Sequence, residues 1–378
     1  MYKKLLFILS FLLWISAGRG IAGDINLSSP DGHVTAVFTA GTDLHALLAY
    51  RLHYEGRTVL KNASIGWAIA GEAGATAYTL AGSAGPLDLK QVIRYASAKN
   101  IGVILYVNHI ALEKQLDSLL PLYHSWGVKG VKFGFVRVGS QQWTGWLHRA
   151  VRKAAQYKLI VDVHDEYRPT GYSRTYPNLL SQEGVRGDEE SPSNEQTLIT
   201  LFTRMIAGAA DNTNCYFTDR VDQKMGSHGS QLAKTVCLYS PLQFLFWYDR
   251  PDPDHASSGR EGIIAEVPEL AFFSSLPTVW DDTRVLEGEI GSHAVIARRS
   301  GVSWFIGALN GKAKRDIVLP CGFLEKGKRY RAFVYADDPK AHTPTHVRVD
   351  TLEVNQHTRI PLTLLPDNGC AIRISPLK

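Results

Sequence analysis

Between Val161 and Glu190 the chain reads VDVHDEYRPTGYSRTYPNLLSQEGVRGDEE. His164, Asp165 and Glu166 close a short apolar run, and a Pro-, Gly- and Tyr-rich stretch leads to a second acidic group of Glu183, Asp188, Glu189 and Glu190. Carboxylates gathered beside a histidine suit acid/base work on a polar substrate or an oxygen-ligand cation site. A solvated acidic loop is the alternative. Cleavage of a glycosidic bond needs a protonated acid beside the leaving oxygen and a second carboxylate that attacks the sugar or activates water. Glu166 and Glu189, read as the ends of neighbouring strands, can face each other across a pocket. Tyr167, Tyr172, Tyr176, Trp143 and Trp247 could stack on sugar faces, and His164 and Arg168 could bond hydroxyls. Core packing is the other reading for each aromatic.

Such residues need a scaffold that brings strand ends together. LDLKQVIRYASAKN is an amphipathic helix, with Leu89, Val92, Ile93 and Ala96 on one face. IGVILYVNH is a strand, and ALEKQLDSLLPLYHSWG is a helix stopped by Gly127. VKGVKFGFVRVG, TGWLHRAVRKAAQYK and LIVDVHDE then repeat strand, helix, strand. Each strand reads as a near-continuous apolar run, which predicts a parallel sheet covered on both faces. Helices over Asn194–Gly208 and Ser230–Tyr239 lead to further strands in ADNTNCYF and LQFLFWYD. That gives about six strand positions between residues 100 and 250, where a closed (β/α)8 barrel requires eight. The polar groups sit at the C-terminal strand ends, the edge on which such barrels carry chemistry.

Residues 24–80 alternate in the β pattern and then pass into a Gly/Ala-rich junction from Gly71 to Pro86. From residue 283 the alternating runs HAVIARRSG, VSWFIGALNG, RDIVLP, YRAFVYADD, THVRVDTLEV and CAIRISP predict an independent antiparallel C-terminal β-domain. The fold class is therefore α/β plus β, with an incomplete barrel over residues 86–282.

Lys3 and Lys4 precede an apolar run to Ile15, and Gly20 and Ala22 are placed as in a cleavage site. Residues 1–22 are thus expected to be a secretory signal peptide, making the protein exported and periplasmic. No cysteine lies near that segment to carry a lipid, so no membrane anchor is expected. Removing Lys3, Lys4 and Arg19 lowers the formal charge of +5 by three, which leaves nothing to attract nucleic acid. At 45% hydrophobic and 20% charged residues over 378 positions the composition is globular. Cys215 and Cys237 are expected as buried free thiols, and a Cys321–Cys370 pairing is open.

HDEYRPTGYSRTYPNLLSQEGVRGDEE, the upstream GVKGVKFGFVRVGSQ and the downstream TLFTRMIAGAADNT together resemble glycoside hydrolase family 97. The resemblance is to its calcium-dependent, inverting α-glucosidases, which act on starch-type oligosaccharides. It implies an N-terminal β-super-sandwich, a (β/α)8 barrel and a C-terminal β-domain. The family's retaining branch, which includes α-galactosidases, carries a nucleophilic Asp where this chain has Gly134, and a small residue in place of Glu166. By that resemblance Glu189 is the general acid and Glu166 the general base. Glu166, Glu183 and Glu189 would bind Ca2+, and His164 would contact the substrate. A cation there lowers carboxylate pKa values.

Family members are much longer. Most of the super-sandwich and the first two βα units have no counterpart here, nor do a second base Glu and one further calcium ligand. A parallel sheet left with two unpaired edges is an aggregation hazard, so impaired activity is expected. An α-galactosidase of the same family and an inactive carbohydrate-binding remnant are the alternatives.

Overall fold

A computed structural model describes residues 88–165, 167–250 and 261–377, and four N-terminal strands by their backbone alone. Those strands, β1 (Ile25–Ser28), β2 (Val34–Thr39), β3 (Ala49–Tyr54) and β4 (Arg57–Ser64), pair in sequence order as an antiparallel sheet. The Gly/Ala-rich junction and residues 1–22 lie outside the described residues.

The parallel part begins with helix α1 (Leu89–Ala98), where the Asp88 carboxylate accepts from Gln91 N at 3.0 Å, a side-chain N-cap. Strand β5 (Ile104–Asn108) ends on Asn108, which caps helix α2 (His109–Trp126) in the same way. Gly127 ends α2 at φ 89°, the left-handed cap that favours glycine. Strand β6 (Gly130–Gly134) leads to helix α3 (Gln141–Gln156), capped by Ser140. Helix α3 buries Leu147, Ala150, Val151 and Ala154, spaced by three and four residues as one helical face. Then come β7 (Ile160–Val163), β8 (Leu179–Gln182), α4 (Asn194–Phe202), β9 (Asn212–Asn214), the short α5 (Arg220–Lys224), α6 (His228–Cys237), β10 (Gln243–Leu245) and α7 (Leu270–Ser275).

Strands β5 to β8 are parallel neighbours in sequence order, β9 pairs parallel with β10, and a parallel bridge from Gln182 to Ala210 joins the two groups. The six parallel strands expected from the alternation are all present. They are not uniformly apolar, however. Val131, Phe133, Val161 and Val163 join the core formed with Ile93, Leu112, Leu120, Leu147 and Val151 of the helices. The intervening residues Lys132, Asp162 and Ser181 are aligned partners across β6, β7 and β8 and form a buried polar layer.

Eight strands follow: β11 (Asp282–Glu289), β12 (His293–Ser300), β13 (Ser303–Asn310), β14 (Arg315–Pro320), β15 (Tyr330–Asp337), β16 (Val347–Val354), β17 (Arg359–Leu364) and β18 (Gly369–Pro376). Six form an antiparallel sheet in the order β11-β12-β13-β18-β15-β16, and β14 pairs with β17. Val295, Ile306, Leu319, Ile360, Leu362 and Ile372 fill the core of this region. The other face of the large sheet packs on α6, every residue of which is buried. A Cβ on Gly307 would lie 2.4 Å from Ala233 O, so the close approach requires glycine. Arg298 donates to the carbonyls of Val236 (2.7 Å) and Cys237 (3.2 Å) at the C-terminus of α6. Asp337 accepts from Gly229 N (2.8 Å) and the Ser227 hydroxyl at its N-terminus. Opposite charges at the two ends complement the helix dipole. This β-domain is therefore not independent of the barrel helices. All four cysteines are buried free thiols, so Cys321 and Cys370 are not paired. No helix among the described residues is long and apolar enough to cross a membrane.

Candidate active site

The C-terminal ends of β6 to β9 converge on His164. Its backbone N–H donates to Phe133 O at 2.9 Å, and Glu183 N donates to Val163 O at 2.8 Å. Strand pairing thus continues one residue past β7 and β8 and sets both side chains on the same edge. Just beyond, Phe135 and Asp165 adopt positive φ (54° and 72°), a sparsely populated region for such residues. Two hydrogen bonds hold this pair of turns: Phe135 N donates to the Asp165 carboxylate, and Asp165 N to that of Glu183.

The imidazole of His164 lies among three carboxylates. Its Nδ1 is 2.8 Å from Asp211 Oδ2 and 3.1 Å from Glu183 Oε2, and its Nε2 is 3.2 Å from Glu189 Oε1. The Thr213 hydroxyl donates to the other oxygen of Glu189. Beneath, the Lys132 ammonium bridges Asp162 (2.7 Å) and Asp211 and lies 4.0 Å from the Phe244 ring centroid. Ser181 donates to the second Asp162 oxygen at 2.6 Å. A buried lysine is tolerable only when paired in this way.

Charge in the cluster follows from these contacts. Burial and the Lys132 ammonium oppose a charge on His164, but Asp211 and Glu189 outweigh them and raise it to about 10. Burial, reinforced by the Asp211 and Glu189 carboxylates, pushes Glu183 up to about 9 against the pull of His164. Burial also opposes ionisation of Asp211, yet Lys132 and His164 hold it down to about 2. Glu189 is kept below its ordinary value, because His164 and Thr213 more than offset its burial. Neighbouring carboxylates are thus driven to opposite protonation states, the pattern expected of acid/base sites.

His164, Glu183 and Glu189 come together as expected, with one correction. Glu183 follows directly on β8, whereas Glu189 lies on the 3-10 turn Asp188–Glu190. Gly187 lets that turn fold back: a Cβ there would lie 2.1 Å from Thr213 Oγ1 and 2.6 Å from Glu189 Oε2. Glu166 lies outside the described residues. Tyr167 is buried in the core with its hydroxyl 3.0 Å from His148 Nε2, so it does not face a substrate. Tyr172 stacks on His148 at 3.8 Å, and Tyr176 packs on Tyr172. These tyrosines fasten the loop to α3 rather than line the pocket. Arg168 is exposed and packs beside Gly184, and Trp143 lies under Arg137 against Trp146. Of the five expected aromatics, Trp247 borders the cluster, 5.8 Å from His164 between ring centroids.

Asp249 anchors a turn, accepting from Tyr216 N (2.6 Å) and Phe217 N (3.0 Å). Asp252 and Asp254 lie outside the described residues. Sequence reasoning missed Lys132, Asp162, Asp211 and Thr213. A charge in VKFGF and another in IVDV, each inside a buried strand, were the available signal.

The family described as Glycoside hydrolase 97 matches residues 48–185, and the one described as Glycosyl-hydrolase 97 C-terminal, oligomerisation, matches residues 279–375. A protein named retaining alpha-galactosidase from Bacteroides thetaiotaomicron is 33% identical over 306 residues, 76% of this chain and 44% of that protein. A probable retaining alpha-galactosidase from Streptomyces bingchenggensis is 31% identical over 235 residues, 61% of this chain and 35% of its own length. A glycoside hydrolase family 97 enzyme from Pseudoalteromonas sp. strain K8, solved in complex with acarbose, is similar with a TM-score of 0.65 and 26% identity. That match covers 78% of this chain and 50% of the enzyme. The chain thus spans about half the length of the relatives it matches. With both family regions in order around the carboxylate cluster, the chain belongs to glycoside hydrolase family 97.

Proposed function

We propose that this chain hydrolyses α-glucosidic bonds of starch-type oligosaccharides with inversion, Glu189 serving as general acid and Glu166 as general base. One observation carries the stereochemistry. The end of β6, where the family's retaining branch has its nucleophile, is Gly134, and the space beside it is filled by the Tyr106 ring. No carboxylate projects from that position to form a glycosyl-enzyme bond.

In the geometry described, Glu189 is ionised against His164. Its acid role requires a sugar hydroxyl to take over the His164 contact, which frees the carboxylate to carry a proton to the leaving oxygen. Glu183 is the group that fits a calcium ion, since its carboxylate is buried beside those of Asp211 and Glu189. Glu183 and Asp211 each offer a carboxylate oxygen, within 4.8 Å of one another, and His164 would have to give up its proton to join them. By the family resemblance Glu166 and Glu189 would complete the oxygen-rich surround that Ca2+ prefers. The cation, when bound, supplies positive charge that ionises Glu183 and fixes the carboxylates.

Export to the periplasm, led by residues 1–22, is part of the reading. Low turnover is expected, because β5 and β10 are the two ends of the parallel sheet among the described residues. The names of the two curated relatives favour α-galactoside as the second substrate. Release of p-nitrophenol from α-glucoside and α-galactoside, each with calcium, tests the assignment. Weak glucoside turnover, lowered at least about a hundredfold by Glu189→Gln, is expected. A preference for the galactoside, or a Glu189→Gln variant as active as the wild type, overturns it.

A further inference from the structure

Glu189 is held at two levels. Its backbone is fixed by Arg220, whose Nη1 donates to the carbonyls of Asp188 (2.9 Å) and Glu189 (3.2 Å) and meets Ser191 Oγ at 2.8 Å. Lys234 of α6 pairs with Asp188 in the interior, and Cys215 N donates to the same carboxylate at 3.0 Å. The side chain is held separately. Thr213, fully buried in the middle of β9, turns its hydroxyl to Glu189 Oε2. The other oxygen, Oε1, lies 3.2 Å from His164 Nε2 without a well-aligned hydrogen bond. Gly187 leaves room for the Thr213 contact, since a Cβ there would fall 2.1 Å from the donor and 2.6 Å from the acceptor.

We infer that Thr213 is a positioning residue for the acid: it occupies Oε2, so that Oε1 is the oxygen that protonates the leaving group. The inference rests on the reading of Glu189 as general acid. A hydroxyl that donates to Oε2 keeps that oxygen an acceptor and leaves the carboxyl proton to Oε1. It also locks the last torsion of the side chain, otherwise a broad two-fold rotor. In the reaction Oε1 gives its proton to the glycosidic oxygen as the C1–O bond breaks and the alcohol departs. The attacking water forms the new C1–O bond and loses its proton to Glu166. A threonine present only to fill β9 could become valine, of nearly the same shape, without touching this step in particular.

The test uses the full chain with calcium on two substrates. Maltose needs its leaving oxygen protonated, whereas α-glucosyl fluoride departs with little help from an acid, because fluoride is a weak base. Thr213→Val is expected to lower kcat on maltose about tenfold or more, with KM and the rate on the fluoride each within about twofold of wild type. Thr213→Ala, which also lacks the hydroxyl, should show the same contrast, and Thr213→Ser, which keeps it, should recover most of the loss. The ratio of the two rates does not depend on how much of a variant is folded, so a lowered Tm leaves the result readable. Equal losses on both substrates, or a Thr213→Ser variant as slow on maltose as Thr213→Val, overturn the inference. Glu189→Gln is the reference. If it shows the contrast and Thr213→Val does not, the inference falls and the acid reading stands. If Glu189→Gln lacks the contrast, or the wild type turns over neither substrate, both fall.

Discussion

Strands β5 to β8 and strands β9 to β10 form one run of parallel neighbours, but they are backed by different material. The first four lie against α1, α2 and α3, whose buried residues share a single core with Val131, Phe133, Val161 and Val163. Behind the last two, Tyr216 and Phe246 share a core with Phe272 and Phe273, with Leu232 and Val236 of α6, and with Phe305 and Tyr335 of the C-terminal sheet. The candidate site is drawn from both halves. His164 and Glu183 belong to the first, and Asp211 and Thr213 to the second. The Glu189 turn is tied to the second half as well, since Asp188 accepts from Cys215 N and pairs with Lys234 of α6. The C-terminal β-domain therefore supports half of the site's geometry from behind, through a helix.

The difference can be broken most severely at Lys132, the charge that joins the halves by bridging Asp162 and Asp211. Lys132→Met leaves two carboxylates facing each other in the interior. It should cost about 3–5 kcal/mol in chemical denaturation and disorder both halves together. Next comes Asp249, which burial pushes up to about 7. A carboxyl raised in the fold contributes stability that is fully present below the unfolded value and is lost as pH rises through the folded one. Between pH 4 and 7.5 the wild type should therefore lose up to about 4 kcal/mol relative to Asp249→Asn, whose amide oxygen still accepts from Tyr216 and Phe217. Parallel pH profiles of the two proteins check the sign.

Gly307→Val sharpens the comparison. Driving a side chain into Ala233 and Cys237 should cost about 1–3 kcal/mol. It should speed amide exchange in α6 and β9 while β6 and β7 keep their protection. Equal loss across all four elements would show that the halves are one cooperative unit. The smallest effect is Ser140→Ala, which removes the α3 cap for about 1 kcal/mol and should leave exchange at β9 untouched.

Much of the scaffold was legible because it rests on local signals. Asp88, Asn108 and Gly127 mark helix ends, and strand–helix alternation exposed the parallel strands other than β8, which follows β7 with no α-helix between. His164, Glu183 and Glu189 were legible as acids and a base grouped near strand ends. The polar layer was not, since Lys132 and Asp162 acquire meaning only when strands 30 residues apart align. The tyrosines after Glu166 misled because aromatic content does not reveal whether a loop turns into the pocket or over α3. Nor could the burial of α6 be read locally, because Gly307 and Arg298, which close on it, arrive some 60 or more residues later.

The central claim, a single displacement governed by Glu189 beside a strand-end position, Gly134, that carries no carboxylate, is met most directly by the anomer first released from an α-glucoside. Proton NMR during the first turnovers of p-nitrophenyl α-glucoside, with calcium present, should show β-glucose appearing before mutarotation. α-Glucose appearing first would contradict the account and require a nucleophile that position 134 does not provide.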